Sequence, residues 1–172
     1  MKNARYNIDE EIDWAKVDFE DQNIYNMLSS GDVFGVFQLS EQKDKVMEQK
    51  PCCFEDLIAI NALIRPGVGD WNEYIKLRNS GFDKSAVQPY MESTCGLIVY
   101  QDQYLLLAQT YAGWDIAFSD KHIRKNKDIK NDHKLREQFI SDTISRGYDE
   151  STATQIWNSI EEVVAGGYGF NR

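Results

Sequence analysis

The side chains of this sequence best suited to chemistry are cations rather than carboxylates. The segment KHIRKNKDIKNDHKLR, residues 121–136, carries seven lysines and arginines against two aspartates, on a chain whose net charge is −9. A local basic segment on an acidic protein indicates either a focused site for an anionic ligand or a solvated helix face. Both interpretations stay open on charge alone.

Arg65 is a second candidate, because it stands where a buried helix must stop. The run FEDLIAINALIRPG, residues 54–67, is apolar over most of its length and ends in Arg65-Pro66-Gly67. Proline restricts the residue before it to extended backbone, which constrains the direction of Arg65. The arginine either caps the carboxyl end of the helix, where positive charge is favoured, or binds a phosphate.

The residue sets of common catalytic and metal centres are absent from the sequence. There is no Asp-x-Asp pair, and the acids in DEEID, 9–13, and DFED, 18–21, are expected at exposed helix starts. His122 and His133 have no cysteine or acidic residue at ligand spacing, so no zinc site is expected. Phosphate-binding glycine loops and a G-x-S-x-G nucleophile elbow are also missing. We predict no catalytic residue and no metal site in these residues alone.

Composition indicates one globular domain spanning residues 1–172, with 42% apolar and 12% aromatic residues. No apolar run approaches the roughly 20 residues that span a membrane, and the amino terminus does not resemble a secretory signal. The three cysteines form no C-x-x-C pair, and Cys52 and Cys53 are expected to pack in the interior rather than to react. The cytoplasm is the expected location, and no membrane partner is expected.

The elements that must position these residues are helices almost throughout. We predict a mostly α fold, a compact multi-helix domain with at most one short strand, VFGVFQL at 33–39. Asp21 is expected to cap a first helix that presents Ile24, Met27 and Leu28 on one face and ends at Gly31. The remaining predicted helices run from Ser40 to Pro51, over 54–64, over 96–113 (Tyr100, Tyr104, Ala108 and Tyr111 on one face), over 132–146 (burying Leu135, Phe139 and Ile144, with Gly147 as C-cap) and over 151–165 (burying Ala153, Ile156, Trp157, Ile160, Val163 and Val164).

Several stretches, taken together, resemble a known family. In order and spacing they are similar to the fingers region of the bacterial replicative DNA polymerase III alpha subunit, a family C DNA polymerase, and the resemblance covers roughly residues 12–171. Each stretch alone is a weak signal, whereas the combination is specific. The stretches are GVFQL at 35–39, FEDLIAINALIRPG at 54–67, GLIVYQDQ at 96–103, AQTYAGWDIAFSDKHIRKNKD at 108–128 and GGYGFNR at 166–172.

The resemblance implies a function in DNA replication as a partial polymerase. The fingers would position incoming dNTP and template-primer for a palm supplied by another chain, and that palm would hold the Mg²⁺ ions of the nucleotidyl transfer. The implied partners are a palm-bearing polymerase chain or a host DNA polymerase, together with primer-template DNA and dNTP. The implied location is a bacterial cell or a virus-infected bacterium, and the chain alone is expected to be inactive and to bind no cofactor.

The resemblance also assigns roles to individual residues. It places three cations of the basic segment near the triphosphate and template path. Arg65, whose direction Pro66 constrains, is a further candidate donor to the triphosphate, and a tyrosine-glutamine pair is a candidate for stacking and a hydrogen bond near the nascent base pair. A core tyrosine with a satisfied hydroxyl is the alternative for that tyrosine. The cations of the basic segment are Arg124, Lys125 and Lys127, the pair is Tyr100 and Gln101, and Gln38 is expected to face the active site.

Departures from the family motifs support a second interpretation. By spacing, the first arginine of the basic R-R-A-M-G-K-K motif falls on Ile123, its glycine on Lys127 and the next lysine on Asp128. An eroded basic motif on an acidic protein is typical of a non-catalytic polymerase-interacting or DNA-binding regulator that reuses the fingers fold. A helical scaffold unrelated to replication is the third interpretation. A polymerase fragment further predicts an exposed apolar patch where its neighbours would pack.

Overall fold

The structure is a computed structural model that describes residues 13–64, 71–167 and 169–170. Hydrogen bonds within helices and tight turns order nearly all of this backbone. Most of the described residues lie in helices, and their only β-type pairing is one parallel bridge between Tyr100 and Phe170. This confirms the prediction of a mostly α fold. Within the same ranges, no helix is both long and apolar enough to cross a membrane. The α-helices are α1 Gln22–Ser29, α2 Lys43–Gln49, α3 Phe54–Leu63, α4 Trp71–Asn79, α5 Gln101–Ala112, α6 Ile116–Ser119, α7 His133–Ser145 and α8 Glu150–Gly166.

Aspartate side chains start four of these helices. Asp21, Asp115, Asp132 and Asp149 each accept a hydrogen bond from a backbone N–H two or three residues further on, over 2.7 to 3.1 Å. Such a cap satisfies an otherwise unpaired donor and stabilises a helix by about 1 kcal/mol. The element bounds confirm the helices predicted at 54–64, 132–146 and 151–165 to within one or two residues, and aspartates cap the last two of them.

Helix α3 lies between two apolar clusters, which explains why it has almost no polar side. Ala59, Ala62 and Leu63 pack against the chain around Tyr100, whereas Ile60 and the following Ile64 pack in the other direction. The second cluster holds α3 against the amino-terminal third of the described chain. Its other members are Leu28, Val33, Leu39 and Val46.

The carboxyl-terminal half packs around aromatic side chains shared by α5, α7 and α8. Phe139 of α7 and Trp157 of α8 are fully buried, with ring centroids 5.3 Å apart. Ile123 and Ile129 are buried in the same cluster. These two residues anchor the basic segment 121–136 from within, so its charged side chains are held at the surface of a packed core.

The strand predicted at 33–39 is wrong. These residues form consecutive turns, in which the backbone N–H groups of Val36 and Leu39 donate to carbonyls three residues earlier. The Ser40 hydroxyl closes the turns by donating to the carbonyls of Val33 and Val36 at 2.8 and 2.7 Å. The alternation of apolar residues reflects turns that bury Val33 and Leu39 and leave Phe34 exposed, not a pleated strand.

The helix predicted over 96–113 begins late, at Gln101. Cys95 and Gly96 have left-handed φ angles of 53° and 83°, which are incompatible with a continuous right-handed helix. The residues from Leu97 to Tyr100 are extended or irregular and lead into the bridge with Phe170. The sequence pattern is ambiguous here because this apolar run is buried on all sides.

Ile144 is predicted to be buried but is exposed, and Ile24 and Met27, predicted on one face of the first helix with Leu28, are exposed as well. Ile24 and Met27 of α1 are 41% and 39% exposed, and Ile144 of α7 is 44% exposed. In α7 the buried stripe is Leu135, Phe139 and Thr143, spaced four residues apart, so Ile144 lies one position around the helix from it. In α1 the buried residues are Tyr25 and Leu28. Helical periodicity alone leaves such one-residue rotations undecided.

Candidate functional site

Two motif segments that are far apart in the sequence meet at the start of α5. The Gln101 N–H donates to the Phe170 carbonyl at 2.8 Å, and the Phe170 N–H donates to the Val99 carbonyl at 2.9 Å. The Gln101 side-chain amide also donates to the Gly169 carbonyl at 3.1 Å. We call this contact of 99–101 with 169–170 the junction, and it holds the end of the described chain against the first turn of α5.

Gly169 is a glycine because the junction leaves no room for a side chain. A Cβ atom at this position would lie 2.9 Å from Cγ of Gln101 and 2.9 Å from Cε1 of Tyr104. Tyr104 is buried and cannot swing away. The glycine therefore allows two backbone segments to approach more closely than any other residue permits.

Tyr100 is buried at the junction, at 2% exposure, and packs with residues of α3 such as Ala59 and Leu63. This placement matches the geometry of a core tyrosine. The Gln101 side chain is half-buried and contacts Gly169. A role of this pair beside a nascent base pair stays a prediction.

Gln103 is the junction residue that sequence reasoning missed. Its Oε1 accepts from the backbone N–H groups of Val99 and Tyr100 at 2.8 and 2.9 Å. Its Nε2 donates to Oγ1 of Thr94 at 2.7 Å and to a further backbone carbonyl. A glutamine at the third helical position that reaches back to the residue before the helix forms one half of a capping box, but Tyr100 at the N-cap lacks the short polar side chain by which a sequence signals that motif.

The basic segment presents two of the predicted cations from a π-helical turn, Asp120–Arg124. Asp120 lies between them: its carboxylate accepts from Nε of Arg124 and pairs with Nζ of Lys125 at 2.6 Å. Hydrogen bonds from these two cations lower the pKa of Asp120 to about 2. Lys127, the third predicted cation of this segment, is exposed nearby in the sequence.

Tyr104 links the basic segment to the junction. Burial raises the pKa of its hydroxyl to about 12, and the positive charge of Arg124 opposes that rise. Tyr104 also bounds the space at Gly169 and lies one helical turn beyond Tyr100. The first turns of α5 therefore lie at the junction and close enough to Arg124 for its charge to act on the Tyr104 hydroxyl.

One predicted site residue lies away from the junction, and a second is not among the described residues. Gln38 is exposed in the 33–39 turns, with a left-handed φ of 66°, and lines an open cavity of about 340 Å³ with Phe37 and residues of α3 that include Asn61. Arg65 lies outside the residues that the structure describes.

A buried ionic cluster joins α3 to α4, and sequence reasoning missed it. Asp56 accepts from the Cys52 backbone N–H at 3.0 Å and the Tyr74 hydroxyl at 3.1 Å, and it pairs with Arg78 at 3.0 Å. Burial alone would raise the pKa of Asp56, but the Cys52 hydrogen bonds, Arg78 and Tyr74 outweigh it and lower that pKa. The cluster fixes the two helices on either side of residues 65–70.

Cys52 is exposed, so the prediction that it packs in the interior is wrong. Its thiol donates to Oδ2 of Asp56 at 3.2 Å because the chain turns into α3 between these residues. That hydrogen bond, together with burial, raises the thiol pKa to about 11. The thiol is thereby held in its unreactive, protonated form at neutral pH.

The described residues do not suit a magnesium ion. Among them, the potential ligand atoms of Cys52, Cys53 and Asp56 lie within 4.8 Å of one another. Magnesium prefers oxygen ligands, and the carboxylate of Asp56 already pairs with the cation of Arg78. A soft metal would need deprotonated thiols, which the raised pKa values of Cys52 and Cys53 oppose. No step of a metal-dependent reaction is therefore assigned to this cluster.

Comparison with known proteins identifies relatives along most of the chain. Residues 1–147 match the family described as the bacterial DNA polymerase III alpha subunit finger domain. The chain is 31% identical over 171 residues to the DNA polymerase III subunit alpha of Streptococcus pyogenes, covering 94% of this chain and 16% of that protein. It is 32% identical over 179 residues to that of Campylobacter jejuni, covering 98% of this chain and 15% of the relative.

The match to Chlamydia trachomatis DNA polymerase III subunit alpha is similar, 32% identical over 167 residues, covering 92% of this chain and 13% of that protein. The chain thus spans about one sixth or less of the length of these relatives.

Proposed function

Because this chain belongs to the bacterial DNA polymerase III alpha subunit finger-domain family, we propose that it serves as the fingers of such a polymerase in DNA replication. In this role it positions the phosphates of incoming dNTP and of template-primer DNA. In this proposal a palm supplied by another chain performs nucleotidyl transfer. The activity belongs to the assembled polymerase, and this chain contributes binding and orientation.

The observation that carries the proposal is the convergence of separate motifs on the first turns of α5. Tyr100 and Gln101 begin this helix, Gly169 and Phe170 pair with its start, and Tyr104 lies one turn on. The basic segment lies close to the same turn, since the positive charge of Arg124 acts to lower the pKa of Tyr104 against the larger rise from burial. A rigid helix end beside exposed cations is suited to orienting a phosphate-bearing ligand.

Arg124 and Lys125 are well suited to phosphate. A guanidinium offers five N–H donors, and the bond to Asp120 uses Nε of Arg124. The remaining donors of the Arg124 side chain have no partner among the described residues, and Lys125 is 60% exposed. Lys127 adds a further exposed cation, and Arg65 joins the proposal on its sequence context alone.

An exposed apolar patch supports assembly with the rest of a polymerase. Phe34 and Phe37 are 98% and 86% exposed, in the turns that carry one of the family motifs. Phe37 also borders the open cavity above α3 with Gln38. Large apolar side chains this exposed in a folded domain mark an interaction surface. We assign this patch to contact with the polymerase body.

Phosphate binding is tested by titrating dATP into the ¹⁵N-labelled chain and following amide shifts by NMR. Shifts are expected to cluster at 120–127 and at the start of α5. The double variant Arg124→Gln/Lys125→Gln is expected to bind about tenfold or more weakly, because it removes two charges that face the ligand. The matched control Lys76→Gln/Lys84→Gln removes the same charge from exposed lysines elsewhere and is expected to bind within twofold of the wild type.

Equal weakening in both double variants would mean that the chain attracts dATP by its general charge, and the phosphate site would be refuted.

The docking proposal is tested separately with Phe34→Ser/Phe37→Ser. This variant is expected to keep its unfolding midpoint, because both rings are exposed, and to lose co-purification with a palm-bearing polymerase chain. Retained co-purification would refute the assignment of the patch.

A non-catalytic regulator of a host polymerase is the second candidate function. Ile123 favours it, because this residue stands where the family motif has an arginine and is buried in the core instead of offering a charge. Such a regulator would lower primer extension by an intact host polymerase when the chain is added. A component of an assembled polymerase would instead restore extension to a palm-bearing chain that lacks fingers. Substituting Arg65 with alanine in the restored complex is then expected to lower extension.

A further inference from the structure

One carboxylate pairs with two cations of the candidate phosphate site. Asp120 accepts from Nε of Arg124 through Oδ1 and pairs with Nζ of Lys125 through Oδ2 at 2.6 Å. All three side chains reach solvent, at 27% exposure for Asp120, 35% for Arg124 and 60% for Lys125. The pairing therefore lies on the surface that a phosphate would approach.

The π-helical turn makes this double pairing possible. The Lys125 N–H donates to the Asp120 carbonyl at 3.1 Å, a bond that spans five residues and widens the turn. In an ordinary α-helix a residue five positions on lies about 140° around the axis and faces away. In the wider turn, residues four and five positions on lie to either side of the first. Buried Ile123 holds the opposite side of the turn in the core.

We propose that Asp120 acts as a built-in counter-anion, which lowers the affinity of Arg124 and Lys125 for phosphate groups. This inference rests on the proposed function, since it concerns the same cations. A bound phosphate competes with the carboxylate for both side chains and is repelled by its charge. Asp120 thereby makes phosphate binding weaker and reversible, as a site that releases its ligand in every cycle requires.

The sign of the effect follows from two opposed contributions. Surface ion pairs hold side chains in place only weakly, so removing Asp120 costs little pre-organisation. Removing its negative charge changes the net charge of the three side chains from +1 to +2. In water, one unit charge about 7 Å from the nearest ligand charge changes a binding constant about threefold, the more distant charges of a polyphosphate add less, and salt reduces the factor. Asp120 therefore weakens phosphate binding by repulsion more than it strengthens binding by orienting the two cations.

The test compares phosphate binding by the wild-type chain, Asp120→Asn, Asp120→Glu and Asp128→Asn. Asp128→Asn is the matched control, because it removes one negative charge from the same segment but Asp128 forms no ion pair in the described part of the chain. Inorganic tripolyphosphate and dATP are titrated by NMR, and a fluorescent primer-template is titrated by anisotropy, at two salt concentrations. The NMR signal of the Arg124 Nε–H reports directly on the pairing.

Asp120→Asn is expected to bind tripolyphosphate about three- to tenfold more tightly at low salt, with a smaller gain at high salt. Asp128→Asn is expected to gain less than twofold, and Asp120→Glu, which keeps the charge, to stay within twofold of the wild type. If affinity rises for tripolyphosphate and dATP but not for primer-template, the ligand is a nucleotide. If it rises for primer-template alone, the ligand is DNA.

Unchanged or weaker binding by Asp120→Asn would overturn the inference, because the carboxylate would then orient the cations or be irrelevant to them. If Arg124→Gln/Lys125→Gln abolishes binding in the same assay, the proposed function still stands when this inference fails. Absence of binding in the wild type and in Asp120→Asn alike would overturn both.

Discussion

Asp56 offers the sharpest test of how the fold holds the helices that flank residues 65–70. Its carboxylate is 4% exposed and joins α3 to α4 through the Tyr74 hydroxyl and the Arg78 guanidinium, at 3.1 and 3.0 Å. The Arg78 side chain is 18% exposed, so the ion pair is largely screened from water. Substituting Asp56 with alanine leaves the largely buried Arg78 cation with only the Gln49 carbonyl as an acceptor, and it leaves the buried Tyr74 hydroxyl without its acceptor.

The expected loss of unfolding free energy follows from the largely buried charge of Arg78. Removing one partner of a buried ion pair destabilises a protein by about 3–5 kcal/mol. For a domain of this size, each kcal/mol lowers the melting temperature by about 2–4 °C, so Asp56→Ala is expected to lower it by about 6–20 °C. Asp56→Asn keeps an oxygen acceptor and loses only the charge, and about 2–3 kcal/mol is expected. Glu55→Gln, an exposed acid in the same helical turn, is the control and is expected to cost less than about 1 kcal/mol.

The assay is urea unfolding followed by tryptophan fluorescence and circular dichroism between pH 7 and pH 2. The folded-state pKa of Asp56 lies below its ordinary value of 3.8, so its stabilisation is complete above about pH 5 and is lost as pH falls through 3.8 and then through the lowered pKa. The free-energy difference between wild type and Asp56→Asn is therefore expected to be constant from pH 7 to about pH 5. It should then shrink as the carboxylate of the wild type is protonated.

A double-mutant cycle with Arg78→Met isolates the pair itself. The coupling free energy between Asp56 and Arg78 is expected to be about 1.5–3 kcal/mol. If Asp56→Asn costs no more than Glu55→Gln, or if its cost does not change with pH, the buried pair does not hold α3 to α4. Apolar packing alone would then fix the two helices against each other.

Three further predictions concern the junction and Cys52. Gln103→Leu is expected to cost about 2–4 kcal/mol of unfolding free energy, because it leaves several buried groups unpaired, whereas Gln101→Ala should cost about 1 kcal/mol; equal costs would contradict the role of Gln103. Gly169→Ala is expected to cost about 1–3 kcal/mol in the same urea assay, since its Cβ would lie 2.9 Å from neighbouring side-chain atoms, and a neutral result would show that the junction opens easily. Cys52, with a pKa near 11 instead of 9.0, is expected to react with iodoacetamide at pH 8 about a hundredfold more slowly than an ordinary thiol, and to accelerate up to about pH 11; peptide-resolved mass spectrometry measures the rate, and fast alkylation at pH 8 would refute the raised pKa.

Interactions over a few residues could be predicted from the sequence. Asp21 and Asp132 cap helices through bonds to backbone groups two or three residues away, and Gly147 ends α7 with a left-handed φ of 96°. These bonds depend on local chemistry, so residue type and spacing are sufficient to predict them. The motif segments likewise predicted the family, and the comparisons with known proteins confirmed it.

Contacts between distant segments could not be predicted in the same way. The 33–39 run has the apolar alternation of a strand, but in the described chain it forms turns that leave Phe34 and Phe37 in solvent. Whether an alternating run becomes a strand depends on a partner strand, which a pattern within one segment cannot reveal. The rotation of α7, which exposes Ile144, depends in the same way on where its neighbouring helices lie.

By itself, the sequence determined a helical fingers-family domain and its capped helices, while the cations of the phosphate site stay a prediction. Only the tertiary structure decided that Phe170 pairs with the start of α5, that Asp56 meets Arg78, and that Asp120 engages the basic segment through a π-helical turn. The first two contacts join positions 70 and 22 residues apart, and the third depends on a widened turn held by a buried isoleucine. Each exists because burial of the surrounding apolar core brings these groups together, and that burial is a property of the whole chain.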